Sequence, residues 1–179
     1  MIDYAACTDG ELALAWRKGA VEALRALIDR HRAAAFGLAL RLCGNRDQAE
    51  DLAQEAFLRA LSLLHQYHDE EPFRPWLFRI LGRLYIDQLR RRRELTQDEE
   101  PEPVSCCGNS ESELFVQSVL ATLNKTQRAI LILRELAGLS YEDLARYFSI
   151  PVGTVRSRLA NARLAFRTAY LRMSDEEVA

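Results

Sequence analysis

A chain of 179 residues, 49% of them apolar, has enough apolar mass to bury globular cores, which excludes disorder throughout. Its 24 basic and 26 acidic residues leave a net charge of only −2, while 5 prolines, 8 glycines and no alternating β-branched run predict an all-α protein. Its longest apolar stretches, such as Ala33 to Leu40, are too short to span a membrane, and Asp3 and Asp9 stand where a targeting signal would be basic; a cytoplasmic chain with no direct membrane insertion is expected.

Leu12, Leu14, Ala15 and Trp16 predict a first helix over Asp9 to Gly19, and Leu24, Leu27, Ile28, Ala35, Leu38 and Leu42 a second over Ala20 to Leu42. Gly44-Asn45 breaks the pattern. Asp47, with Glu50 three residues on, is expected to cap a third helix whose apolar stripe is Ala49, Leu52, Ala53, Ala56, Phe57, Ala60, Leu61 and Leu64. Its opposite face carries Asp47, Glu50, Asp51, Gln54 and Glu55, which spacing alone reads as ordinary solvated surface. A polar loop from His65 to Pro72 precedes a long helix over Phe73 to Arg93, with Trp76, Leu77, Ile80, Leu81, Leu84, Ile86 and Leu89 facing a core. That helix ends in Arg90-Arg91-Arg92-Arg93, and its seven arginines in twenty residues exceed what favourable interaction with a helix C-terminus requires.

Glu94 to Ser112 combines acidic residues, Pro101, Pro103, Gly108 and serines with almost nothing apolar, which predicts a flexible tether. Cys106 and Cys107 fall in it and read as incidental thiols; Cys43 lies on an apolar face and reads as packing. None of the four cysteines has a CxxC partner or a histidine at zinc-ligand spacing. Beyond the tether, Leu114, Val116, Val119, Leu120 and Leu123, then Ala129, Ile130, Leu131, Leu133, Leu136 and Ala137, predict two helices before Gly138. Ser140 with Asp143 predicts the cap of a short helix buried through Leu144, Ala145, Tyr147 and Phe148. Ser149-Ile150-Pro151-Val152-Gly153 breaks the chain, and Thr154 is expected to open a last helix running to about Met173.

The near-neutral total hides segregated charge. Met1 to Phe73 carries 8 basic and 12 acidic residues (−4), Arg74 to Arg93 7 and 1 (+6), Glu94 to Glu113 none and 7 (−7), and Leu114 to Ala179 9 and 6 (+3). Two basic zones flank an acidic connector, a layout suited to two separate contacts with a polyanion. The last two helices form a helix-turn-helix, the second carrying Arg156, Arg158, Arg163, Arg167 and Arg172 with no acid between Thr154 and Arg172. Arg156, Ser157 and Asn161 lie where a recognition helix reaches base edges, and the distal arginines suit phosphates. A small helical bundle with a merely basic face is the alternative.

GNRDQAEDLAQEAFLRAL followed by FRPWLFRILGRLYIDQLRRRRE resembles the second region of extracytoplasmic-function sigma factors, and NKTQRAILILRELAGLSYEDLARYFSIPVGTVRSRLANAR resembles their fourth. The two cover most of the chain outside the N-terminal turn, the connector and the tail, in the family's order, and PVGTVRSRLA is the most specific string. The resemblance implies two helical domains, sigma region 2 over 1–93 and sigma region 4 over 113–179, joined by the linker 94–112.

It further implies docking on the clamp helices and flap of core RNA polymerase, contact with promoter DNA, and control by an anti-sigma factor, which can be membrane-anchored. Asp47, Glu50, Asp51, Gln54 and Glu55 match the family's polymerase-docking motif, with Leu58 as an apolar addition, so the resemblance reverses the bland reading of that face. Tyr67, Phe73, Arg74 and Trp76 become the residues for capturing an unstacked base of the −10 element. Arg79, Arg83 and Arg90 to Arg93, including Arg90 and Arg91, would follow its phosphates. Thr154, Arg156, Ser157, Arg158, Asn161 and Arg163 become the −35 contacts.

Four positions depart from the family pattern: Arg83 where asparagine is common, Ser149 where the turn often has glycine, and Ala160 and Asn161 where bulkier or basic residues occur. A non-glycine residue at Ser149 is expected to adopt a left-handed conformation at a cost of roughly 1 kcal/mol. The reading requires no cofactor, no metal and no catalysis. A self-sufficient helix-turn-helix regulator, dimeric on operator DNA, is the rival class, although no heptad seam is present. A hydrolase or transferase lacks support, since His31, His65 and His68 have no apparent nucleophile partner and no glycine-rich phosphate loop occurs.

Overall fold

The computed structural model describes residues 3–67, 71–95 and 111–178. Among them are eight α-helices and no strand: α1 (Asp9–Arg17), α2 (Val21–Cys43), α3 (Arg46–Leu63), α4 (Phe73–Leu95), α5 (Glu111–Ala121), α6 (Lys125–Glu135), α7 (Tyr141–Phe148) and α8 (Val152–Val178), with a 3₁₀ turn at Leu64–Gln66. The all-α expectation holds.

Local chemistry sets the helix boundaries. Thr8 and Glu11 close a capping box on α1, and Asn124 and Gln127 do the same for α6. Gly44 ends α2 in the left-handed region at φ 71°, its N–H donating to the Leu40 carbonyl at 2.8 Å. The α3 cap is Asn45, whose side-chain oxygen accepts from Gln48 N–H at 3.1 Å. Asp47, expected there, instead lies in the first turn, where its charge favours the positive helix end. Ser140 caps α7 as expected, accepting from Asp143 N–H at 3.0 Å. The last helix begins at Val152, two residues earlier than expected, and Thr154 N–H already donates to the Pro151 carbonyl at 2.9 Å. Proline before a first turn is natural, because its own missing N–H would find no helical acceptor.

Helices α1 to α4 form one bundle, in which α3 packs against α2 and α4. The buried positions of α3 are Ala49, Leu52, Ala53, Ala56 and Ala60, mostly short side chains that permit closely spaced helix axes. Buried Tyr85 of α4 donates its hydroxyl to the Leu42 carbonyl at 2.9 Å, tying α4 to the end of α2. Helices α5 to α8 form a second bundle around Ile130, Leu133, Leu139, Leu144, Val155 and Leu159. Cys43 is half-buried and packs on the core, as expected, whereas Cys106 and Cys107 lie outside the described residues.

The ends of the segment expected as a tether, 94–112, are helical, since α4 continues to Leu95 and α5 starts at Glu111; positions 96–110 lie outside the described residues. The two bundles meet where α6 lies on α2 and α7 on α4. The junction is tight at Gly82, where an added Cβ would stand 2.6 Å from Leu133 Cδ2. Beside this contact, Leu38 and Phe78 face Leu120, Leu131 and Phe166 across an apolar cleft of about 500 Å³.

Candidate polymerase and promoter interfaces

On α3 the helical period separates two chemistries. Asp47, Glu50, Asp51, Gln54, Glu55 and Leu58 are all exposed and follow one another at three- and four-residue steps, which places them along one stripe. Leu58 is 68% exposed, an apolar side chain standing in an otherwise acidic row. Among the described residues two members have partners: Glu50 with Arg46 at 3.0 Å, and Glu55, which accepts from Gln88 at 3.3 Å. The others present carboxylate and amide groups to solvent on a helix whose opposite side is locked in the core.

The residues assigned to the −10 element divide into three groups. Tyr67 and Phe73 are 3% and 2% exposed, so neither ring can stack on a base unless the loop opens. Their centroids are 5.4 Å apart in an edge-on arrangement, Trp76 lies 5.3 Å from Tyr67, and His31 5.1 Å from Phe73. The Tyr67 hydroxyl donates to the Glu71 carbonyl at 2.8 Å, and Arg17 donates to the Leu64 carbonyl at 2.8 Å and to that of Tyr67. These rings form a buried cluster to which half-buried Trp76 also belongs.

Arg79 forms the second group. It makes a two-pronged ion pair with Glu71. That hydrogen-bonded guanidinium, against the opposing effect of burial, holds the Glu71 carboxyl below its usual range, and the carboxylate raises Arg79 further. Arg74, Arg83, Arg90 and Arg91 form the third, exposed group. Arg74 lies over the Phe78 ring, 5.1 Å from its centroid. Arg83 and Arg90 reach across to the second bundle. Arg83 donates from Nε to the Tyr147 hydroxyl, with its guanidinium 5.6 Å from that ring's centroid. One Arg90 nitrogen donates to the Tyr147 carbonyl, to the Arg146 carbonyl at 2.9 Å and to the Ser149 hydroxyl at 3.1 Å. The Arg92 and Arg93 side chains lie outside the described residues.

In the helix-turn-helix, Ser149 adopts φ 54° and ψ 46°, the left-handed turn expected of it. Val155, Leu159 and Ala162 bury one side of α8, so Ser157 and Asn161 fall on the side facing away, while exposed Arg156 lies on a flank with its guanidinium 5.9 Å from the centroid of the Tyr141 ring. Arg158 is exposed on one flank, and Thr154 is half-buried with its carbonyl accepting from the Ser157 hydroxyl at 3.0 Å. Arg163 lies on the other flank, where it pairs with Glu135 of α6 at 2.6 Å. That hydrogen bond raises the Arg163 pKa and directs the side chain along the bundle instead of outward.

Sequence reading missed Tyr147, Gln88, Glu135 and Gly82 as partners of the chosen residues. Only Gly82 carried a local signal, since glycine inside a helix costs about 1 kcal/mol relative to alanine and calls for a packing reason.

Two stretches match known profiles in order: Sigma-70 region 2 over residues 27–94 and Sigma-70 region 4 over residues 116–166. This pair defines the class, a sigma-70-type transcription initiation factor. The ECF RNA polymerase sigma factor SigE of Mycolicibacterium smegmatis is 32% identical over 161 residues, covering 84% of this chain and 62% of that protein. The RNA polymerase sigma-H factor of Pseudomonas aeruginosa is 32% identical over 179 aligned residues, covering 90% and 93%. Among solved structures, sigma factor RpoE from Bartonella quintana, in complex with the anti-sigma factor NepR, matches with a TM-score of 0.56 at 27% identity, covering 79% of this chain and 92% of that one. The chain belongs to the extracytoplasmic-function family of RNA polymerase sigma factors, and is an alternative sigma factor.

Proposed function

We propose that this sigma factor docks on core RNA polymerase through the α3 stripe and directs initiation at promoters whose −10 and −35 elements it reads with the α4 region and α8. The observation that carries this reading is the coincidence of three exposed surfaces with the two matched regions: an acidic row on α3, an arginine-rich face on α4 and exposed Arg156, Ser157 and Asn161 on α8. Carboxylates facing a basic helical pair give charge-assisted hydrogen bonds and orient docking. Exposed arginines track phosphates, and the N-terminal half of a recognition helix reads base edges.

In this reading residues 1–93 and 113–179 act as separate DNA-reading domains, linked by 94–112. The chain contributes no catalysis of its own; bond formation belongs to the polymerase. It acts in the cytoplasm, which agrees with there being no helix among the described residues long and apolar enough to cross a membrane. An anti-sigma factor holds it inactive, a reading supported by the related RpoE having been solved with NepR.

Run-off transcription from a genomic promoter library, with core polymerase and with or without this protein, tests the proposal. Defined start sites that require the protein are expected, and their aligned upstream sequences give both elements. Protection of specific duplex DNA by the protein alone, with no new transcripts, would instead establish a self-sufficient regulator.

A further inference from the structure

We infer that α8 reads adenine and thymine in the −35 element through an uncharged stripe of Ser157, Ala160, Asn161 and Leu164, with Asn161 taking the adenine edge. The inference deepens the assignment of α8 to that element and rests on it. Three observations combine to carry it.

First, the helical period puts these four side chains in one line. They follow at steps of three, one and three residues on the side opposite Val155, Leu159 and Ala162, and all four are exposed. From Ser157 to Leu164 the stripe rises about 10 Å, the height of about three stacked base pairs.

Second, the arginines beside the stripe are drawn off that line. Arg156 and Arg163 are seven residues apart and share one flank. Arg156 lies 5.9 Å from the centroid of the Tyr141 ring, and Arg163 pairs with Glu135 at 2.6 Å. Arg158 is exposed on the opposite flank. For a helix lying in the major groove, flanking guanidinium groups meet the bordering phosphates, and the central line meets base edges.

Third, the chemistry of the central line suits an A·T pair. The Asn161 amide is unpaired among the described residues, and it combines a donor for adenine N7 with an acceptor for the N6 amino group. Ser157 has turned its hydroxyl hydrogen back to the Thr154 carbonyl at 3.0 Å, so toward a base it is an acceptor, suited to an amino group. Ala160 and Leu164, the latter 64% exposed, set an apolar shelf beside Asn161. The apolar group that the major groove offers such a shelf is the thymine methyl. Guanine presents two acceptors, and no guanidinium lies on this line to match them.

Transcription by the full chain with core polymerase tests this, using a barcoded promoter library whose −35 region is randomised above a fixed −10 sequence. Wild type is expected to favour adenine by about tenfold at one position. Asn161→Arg should shift that position to guanine, and Asn161→Ala should lose the preference. All these side chains are exposed, and circular dichroism checks that the variants keep wild-type helicity. Two base analogues then separate contact from DNA shape. Replacing that adenine by 7-deazaadenine, which lacks the N7 acceptor, should weaken wild type by about tenfold and leave Asn161→Ala unaffected. Replacing the neighbouring thymine by deoxyuridine should cost wild type about fourfold, the worth of one buried methyl, and cost nothing in Ala160→Gly with Leu164→Ala. An adenine preference that survives both Asn161 variants and tolerates 7-deazaadenine overturns the inference in favour of shape, with α8 still serving the −35 element. Guanine at every informative position, lost in Arg156→Ala, overturns it in favour of the arginines. A −35 region with no informative position at all removes the assignment of α8 on which the inference rests.

Discussion

Arg156, Arg158 and Arg163 lie within eight residues of one helix, yet their surroundings give them different work. Arg156 and Arg158 are exposed, Arg156 over the Tyr141 ring, whereas Arg163 is held in an ion pair with Glu135. Arg156→Ala and Arg158→Ala should each cost about 1–3 kcal/mol of −35 affinity if they form paired contacts to guanine. The same loss on scrambled duplex would mark them as phosphate contacts. Arg163→Ala should cost much less in either case, and competition binding on matched and scrambled duplexes separates all three. Glu71 offers a pH test at the same scale. Because its folded pKa is lowered, the pair's contribution is fully present above about pH 4.3 and drains away as pH falls through the lower folded value. The carboxylate is about a third exposed, so the contribution is at most about 1 kcal/mol. Urea unfolding should show Glu71→Gln less stable than wild type at pH 7, with the gap closing in acid; a gap independent of pH would refute the assignment.

Helix α3 shows how one element serves two partners. Its alanine-rich side fits between α2 and α4, and its acidic side is exposed, held within the described residues by the exposed Glu50–Arg46 pair and the Gln88–Glu55 hydrogen bond. Charge reversal at Asp51 and Glu55 should therefore leave helicity and thermal midpoint nearly unchanged. It would set like charges against a basic docking surface, at a cost of several kcal/mol, and abolish holoenzyme assembly in a pull-down with core polymerase. Intact assembly would refute the docking assignment. At this scale the sequence was a good guide: the order of the helices and the Ser140 cap follow from local patterns, the left-handed Ser149 follows from the family resemblance at that turn, and the last helix runs on to Val178, five residues past the expected end. The misplaced starts have local causes too. Asn45 and Asp47 both qualify as caps by side chain, and the choice depends on which backbone turns first; Pro151 permits a helix to begin before Thr154.

The arrangement of the bundles could not be read in the same way. Hydrophobic period says which side of a helix is buried, not which distant helix covers it. Tyr147 therefore reads as a core residue of α7 until α4 is seen beside it. The burial of Tyr67 and Phe73 was hidden for a related reason: aromatic residues in a polar loop look available until Arg17, some fifty positions earlier, is found fastening that loop. What traces the junction did leave were departures from local preference, a glycine inside α4 and a serine in a glycine conformation.

Fifteen residues separate Leu95 from Glu111, and the two halves they join are never further apart than that length allows. A flexible connector of this length, which the composition of positions 96–110 predicts, would give each bundle an effective concentration of the order of millimolar toward the other, however dilute the protein. A ligand for one bundle alone competes against that local excess, whereas polymerase and promoter, which engage both together, gain from the same connection. The covalent link thus favours a target that engages both bundles at once.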